Sequence, residues 1–457
     1  MTDQSRRAFL RHSAALGLVG SATPFVMNLA AIGEAAAATA TDYKALVCIF
    51  LYGGNDYANT VTPFDQPSYD QYARLRSTIG HSRDSLVATA LTPQNALPGG
   101  GQFALAPGLA PLVPLFNAGR LAIALNVGTL VQPTSKANYQ ARNVPLPPKL
   151  FSHNDQQSFW QASNPEGAAS GWGGRIGDLL QSGNGASTLT CINATGNAVF
   201  MSGRSAVQYS VTANGPVPLL NNSSTLFGSA LGMSTLRMLM TQPRDHMLEA
   251  EHNRVTKRSL DLQAQVSAAL AAAPALTTAF PAANTLADQL RIVARLISVS
   301  QELGARRQVF FVSMGGFDNH DSILTTHPTL LARVGAAMRA FHDATAELGV
   351  VSQVTSFTAS DFGRTLTSNA NGSDHGWGSH HFVMGGAVRG KALYGVPPVL
   401  ADNGPDDVGQ GRLLPALSVD QYGATLASWF GVPGGSLTTV LPNLANYNPS
   451  TWNLGFV

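Results

Sequence analysis

Apolar residues gather along the chain in short runs, each closed by glycine or aspartate. KALVCIFLYGGND (44–56), RLAIALNVG (120–128), RQVFFVSMGGFDNH (307–320) and VVSQVTSFTASDFGR (350–364) share this design. Continuous apolar runs of this length, rich in Val, Ile and Phe, predict strands buried on both faces. Between them the period changes to that of a helix. In TLADQLRIVARLISVSQELGARR, Leu286, Leu290, Val293 and Ile297 fall on one face. HPTLLARVGAAMRAFHDATAELGV predicts a second helix, with His327, just ahead of Pro328, expected at the surface. Strands alternating with helices predict an α/β fold, a three-layer αβα sandwich around a largely parallel sheet. In such folds functional groups collect beyond the carboxyl ends of the strands, and the Asp and His residues of these runs fall there.

Residues from about 195 to 245 break the pattern. Gly, Ser, Asn and Pro abound in MSGRSAVQYSVTANGPVPLLNNSS, and a charged helical stretch, RDHMLEAEHNRVTKRSLDLQAQV, follows. Residues 195–280 therefore read as an insertion or cap on a main domain spanning 41–457. Ahead of that domain, residues 1–40 carry Arg6 and Arg7, then Phe9 and Leu10, a mildly apolar run and an alanine-rich stretch suited to a signal peptidase. This leader resembles a bacterial twin-arginine export signal. It implies the twin-arginine translocase as a partner and a periplasmic or secreted mature protein. No later apolar run approaches the roughly 18 residues a membrane span needs, so no span is expected in the mature form.

Composition narrows the partners. With 44% hydrophobic and 12% charged residues among 457, the chain can bury one large core. Its 28 basic and 26 acidic side chains are scattered, and no basic block exists to neutralise a nucleic-acid backbone. Cys48 and Cys191, the two cysteines, sit in apolar runs, which excludes a disulfide framework and a thiolate metal cluster. Buried thiols are expected, with one disulfide between them left open.

The polar residues at the run ends are the candidate chemistry. GGND places Asp56 either at a site that two glycines let a ligand approach, or as a cap on the next segment. GGFDNH puts Asp318 and His320 on one face of an extended stretch, a carboxylate and an imidazole suited to zinc or another divalent transition metal. SDFGRTLTSNANGSDHGWGSHHF (360–382) adds Asp361, Asp374, His375, His380 and His381, together with Arg364, whose guanidinium can hold an anion bidentately. Of the adjacent His380 and His381, one is expected to point away. In LFSHNDQQSFWQ (150–161), Ser152 precedes a predicted helix, either as a nucleophile favoured by the helix dipole or as an N-cap paired with Asp155. Five of the 11 histidines fall in SHND, DNH, DHG and SHHF, a clustering that favours a site. GGAVRGKA falls short of a phosphate-binding P-loop because Ala392 stands where Ser or Thr binds Mg²⁺.

Taken together, the arginine-pair leader, GGND, SHNDQQ, GGFDNH, SDFGR, DHG and GGAVRGKALYG resemble the DUF1501 family over nearly the whole mature chain, a family grouped with the alkaline phosphatase-like and sulfatase-like proteins. The resemblance implies an alkaline phosphatase-like fold and one or two divalent metal ions, zinc foremost, with manganese, magnesium or calcium as alternatives. It implies Asp318, His320 and His375 around one metal. Asp56 and Asp361, supplemented by Asp374 or His380, would hold a second. Ser152 matches the nucleophile, and Arg364 would stabilise charge on a phosphate or sulfate ester. Phe362 stands where such proteins carry a histidine. Two functions follow as expectations: an exported metal-dependent hydrolase of phosphate or sulfate esters on small molecules or polymers, or a non-catalytic exported binding or scaffold protein that keeps the fold.

Overall fold

The structure is a computed structural model that describes residues 43–220 and 224–457; the leader expected over residues 1–40 lies outside them. The four apolar runs form strands. In chain order the main elements begin with β1 (Lys44–Leu51), β2 (Leu121–Gly128), α1 (His153–Ala162), α2 (Trp172–Leu180) and β3 (Cys191–Asn193). The edge hairpin β4 (Gln208–Thr212) and β5 (Gly215–Pro216) follows, then the helices α3 (Met247–Ala272) and α4 (Thr285–Ser298). The remainder comprises β6 (Arg307–Met314), α5 (Ile323–Glu347), β7 (Val354–Ser360), β8 (Ser379–Gly385), β9 (Ala392–Tyr394), β10 (Leu417–Ser418) and α6 (Val419–Phe430).

Among the described residues these ten strands form one sheet in the order β9-β2-β8-β7-β1-β6-β3-β4-β5, with β10 also paired to β2. The centre is parallel, β8 runs antiparallel between β7 and β2, and the edge hairpin β4–β5 is antiparallel. Strand alternation divides the core into two layers. Ala45, Val47, Ile49 and Leu51 of β1 face one apolar cluster with Leu290 and Val293 of α4 and Val334 and Met338 of α5. Leu46, Cys48 and Phe50 face the other, with Trp172 and Ile176 of α2 and Tyr422 and Leu426 of α6. Period-2 side chains on a strand buried on both faces produce this αβα sandwich.

Register sets where the chemistry emerges. Leu51 pairs with Met314 on one side and with Ser360 on the other, so the three central strands end level. The loops GGND, GGFDNH and DFGR therefore leave the sheet side by side at one edge.

Several local expectations change. The stretch read as an insertion supplies the edge hairpin, and Leu262, Val266 and Leu270 of α3 enter the same cluster as β1. His327 is buried rather than at the surface, because α5 starts four residues before it, at Ile323, and takes Pro328 into its second turn. There His327 Nε2 meets Asn55 Oδ1 at 3.0 Å. Both cysteines are buried free thiols. No helix among the described residues is long and apolar enough to cross a membrane.

Asp420, in the first turn of α6, is sealed from water. Burial pushes its carboxyl up to about 6 despite hydrogen bonds donated by Ser163 Oγ and the Asn443 backbone. A carboxyl whose pKa rises on folding binds its proton more tightly in the native state. Its contribution is full below the ordinary 3.8 and is lost as pH rises through about 6. Melting temperatures measured from pH 4 to pH 7 should therefore shift in favour of Asp420→Asn relative to the parent protein as pH rises.

Candidate metal centre

The level ends of β1, β6 and β7 bring their loops into backbone contact. Gly53 has a φ of +113°, and a Cβ there would lie 2.4 Å from the Asp318 amide nitrogen. Gly363 is closed in by the 375–378 turn: its amide donates to Trp377 O at 2.9 Å, and a Cβ would lie 2.0 Å from Gly378 O. These contacts place Asp318, Asp361, Arg364 and His375 around one point. The helix α1 adds His153 and Gln157 from the other side.

The carboxylate of Asp318 is the centre of the cluster. His320 Nε2 lies 3.0 Å from its Oδ1 and His375 Nε2 3.3 Å from the same oxygen. His153 Nε2 stands 3.4 Å from Oδ2, and the two Nε2 atoms of His320 and His375 are 2.9 Å apart. Each of these imidazoles has its other nitrogen engaged by an acceptor. His153 Nδ1 meets Asp361 Oδ2 at 2.7 Å, His320 Nδ1 meets Asp374 Oδ1 at 2.9 Å, and His375 Nδ1 meets Phe151 O at 2.7 Å. A carboxylate or carbonyl can only accept, so each Nδ1 carries the proton. The three rings consequently turn their Nε2 atoms toward one carboxylate.

Three Nε2 atoms gathered on one carboxylate form a donor set suited to a divalent cation. Four donors about 2.0–2.1 Å from a tetrahedral zinc lie about 3.3 Å from one another. His153, Asp318 and His375 each offer an atom within 4.8 Å of the others. His153 Nε2 is buried and makes no hydrogen bond. The hydrogen bond to Asp361 raises the His153 pKa, whereas burial lowers that of His375. For Asp318 burial acts upward, but the Arg364 guanidinium holds the carboxyl below its ordinary value.

The other candidates divide into supports and absentees. Asp361 is a support: its Oδ2 also accepts from Gln157 Nε2 at 2.8 Å and from Gly53 N at 3.1 Å. Asp374 similarly accepts from Asn369 Nδ2 at 2.9 Å. Arg364 is fully buried, donates through Nη1 to Asp318 Oδ1 at 2.6 Å and through Nη2 to Ser373 O, and thus orients Asp318 instead of facing an incoming anion. Ser152 stands at the N-cap position of α1 without a side-chain cap hydrogen bond, and its Oγ donates to Asp155 Oδ2 at 2.9 Å.

Asp56 leaves the cluster altogether. It forms a buried ion pair with Arg76 and accepts from Asn59 N and Ser373 Oγ, each at 3.0 Å. Burial alone would raise its carboxyl, and Arg76 holds it below the ordinary value. His380 and His381 sit inside β8 on opposite faces, His380 against Tyr57 and Phe103 and His381 against Trp160 and Tyr422. Neither reaches Asp318, because the strand carries both into the interior. A second metal position built on Asp56 and His380 is therefore not assembled. Phe362 packs its ring against His153 and His375 at centroid distances of 4.9 and 4.8 Å, an apolar support where a histidine was expected.

His153 was the residue that sequence reasoning passed over in favour of its neighbour Ser152. The available signal was its place in SHND among the clustered histidines; its register on α1, which aims it at Asp361, is tertiary.

An α/β sheet protein with a histidine and carboxylate cluster beyond its central strand ends is the class these features define. The chain belongs to the DUF1501 family, described as a protein of unknown function, whose model matches residues 43–421. No curated protein matched the sequence. Among solved structures it is similar to Ps i-CgsB in complex with k-i-k-neocarrahexaose, at 11% identity and a TM-score of 0.34, covering 90% of this chain and 78% of that one. It is also similar to the PsFucS1 sulfatase from Pseudoalteromonas sp. (9% identity, TM-score 0.33, 88% and 70% covered). A third is a Bacteroides thetaiotaomicron protein associated with the metabolism of multiple glycosaminoglycans (8%, 0.33, 85% and 73%). Likeness at such TM-scores carries no inference about activity.

Two substitutions test this architecture. Gly363→Ala forces a methyl group onto Gly378 O, and denaturant unfolding should show a loss of about 1–3 kcal/mol. Arg76→Ala strands the Asp56 carboxylate in the interior, and the same measurement should show about 3–5 kcal/mol.

Proposed function

We propose that this protein is an exported hydrolase of phosphate or sulfate esters that depends on one divalent metal ion. The observation that carries the reading is the convergence of the His153, His320 and His375 Nε2 atoms on Asp318 while every Nδ1 is tied to an acceptor. Such outer partners fix imidazole tautomers for metal ligation. Imidazole nitrogens with one carboxylate suit zinc. A bound ion would supply Lewis-acid polarisation of the ester oxygen.

The chain's own groups then have separate duties. His153, Asp318 and His375 would hold the ion, with His320 beside them as a fourth donor. Asp361, Asp374 and the Phe151 carbonyl keep the Nδ1 protons in place, and Arg364 fixes the Asp318 carboxylate. Phe362 shields the rings of His153 and His375 from water. Because Ser152 is committed to Asp155, water is the nucleophile in this reading. The substrate can be a small molecule or a polymer, and export by the twin-arginine route places it outside the cytoplasm.

A binding or scaffold role without catalysis is the second reading. It is favoured by Arg364, which already neutralises Asp318, and by Arg76, which occupies the carboxylate of Asp56.

Elemental analysis of protein purified from its native compartment tests both. About one zinc-class ion per chain is expected; His153→Ala and Asp318→Ala should lose it, while Ser152→Ala should retain both the metal and hydrolysis of aryl phosphates or aryl sulfates. A metal-free protein that fails to take up zinc would overturn the metal site. Metal without hydrolysis of either ester class would leave the binding role.

A further inference from the structure

A cavity of about 650 Å³ lies beside the candidate metal centre without sharing its ligands. Its wall is mostly apolar, formed by Val61, Phe103, Pro397, Val399 and Leu400 with the ring of Tyr57. Tyr57 also packs against Gly363, where a Cβ would lie 3.0 Å from its Cδ1, so the wall leans on the loop that carries Asp361 and Arg364. None of His153, Asp318, His320, Asp361 or His375 lines it. The volume is that of a pocket for a small organic molecule.

The polar groups of the wall restrict what fits. His380 is 4% exposed, and its Nδ1 accepts the Asn126 N–H at 3.0 Å, which puts the ring proton on Nε2. Burial pushes its pKa down to about 3, so the ring stays neutral and offers a donor without charge. Asp65 spends its two oxygens on the backbone amides of Ser68 and Gln102, each at 3.0 Å. Arg74, exposed at the rim, donates to Gln71. A charged ligand would thus be stripped of water with no buried counter-ion to receive it, whereas an apolar one gains against Val61, Phe103, Pro397, Val399 and Leu400.

We propose that this cavity is a binding site for an uncharged, predominantly apolar ring compound that presents one acceptor oxygen to the Nε2–H of His380. It is separate from the metal centre and does not depend on the ester-hydrolase reading.

Nile red, an uncharged fused-ring dye with a carbonyl oxygen, is the probe, titrated by fluorescence into the full protein. A competing place for such a dye exists in the stretch around Phe227, Leu231 and Met247, which are 100%, 77% and 77% exposed. Saturable binding at about one dye per chain is expected. Val399→Trp, at a rim position 49% exposed, should weaken it about tenfold with an unchanged melting temperature, and Phe227→Ser should leave it unchanged. His380→Phe should weaken it about threefold or more. The sulfonated dye 1-anilinonaphthalene-8-sulfonate should bind about tenfold more weakly than Nile red. Wild-type affinity in Val399→Trp, loss of binding in Phe227→Ser, or equal affinity for the sulfonated dye would each overturn the assignment.

Discussion

The close approach of three strand-end loops is the constraint on which the site depends. Two of them touch where Gly53 leaves no room for a Cβ against the Asp318 amide, and a Cβ at Gly363 would lie still closer, 2.0 Å from Gly378 O. Level strand ends bring the loops together, and the missing side chains let them close. Asp318 comes from the loop after β6, whereas Asp361 and His375 come from the connection between β7 and β8, so the cluster exists only while these backbones touch. A side chain of any size at Gly363 would separate the parts of the site before it altered any ligand.

Within that frame, proton placement decides which residues can act. Asp361 and Asp374 looked equivalent to Asp318 as carboxylates, yet each accepts the Nδ1 proton of a histidine. That hydrogen bond engages one oxygen of each carboxylate and fixes which nitrogen its imidazole turns inward. Asp318 receives no Nδ1 proton. It faces three Nε2 atoms and the guanidinium of Arg364 instead, which makes it the centre of the cluster.

The same electrostatics explain why the site is single. The Asp56 carboxylate, buried at the end of β1, is compensated by Arg76 within a network that includes Asn59 and Ser373. A buried carboxylate needs one cation, and here a guanidinium provides it. His380 was drawn in the opposite direction, into the interior of β8, where burial keeps it neutral. It borders a cavity of apolar walls instead of a metal.

The sequence by itself determined the strands, the two long helices, the layered α/β class and the concentration of Asp and His at strand ends, because hydrophobic period and glycine punctuation are local properties. Asp318, His320 and His375, which the motifs GGFDNH and DHG brought to notice, lie in contact with one another. What it could not resolve was the division of labour among like residues. Asp56 and Asp361 carry the same side chain, and the difference between an ion pair with Arg76 and a hydrogen bond to His153 lies in partners remote in the chain. His327 read as surface because Pro328 suggested a helix start, whereas packing extended α5 past it. His153 was reached only through the register of α1 against β7. Which nitrogen, which oxygen and which face each residue presents were set by the tertiary structure, since these depend on distances that sequence spacing does not encode.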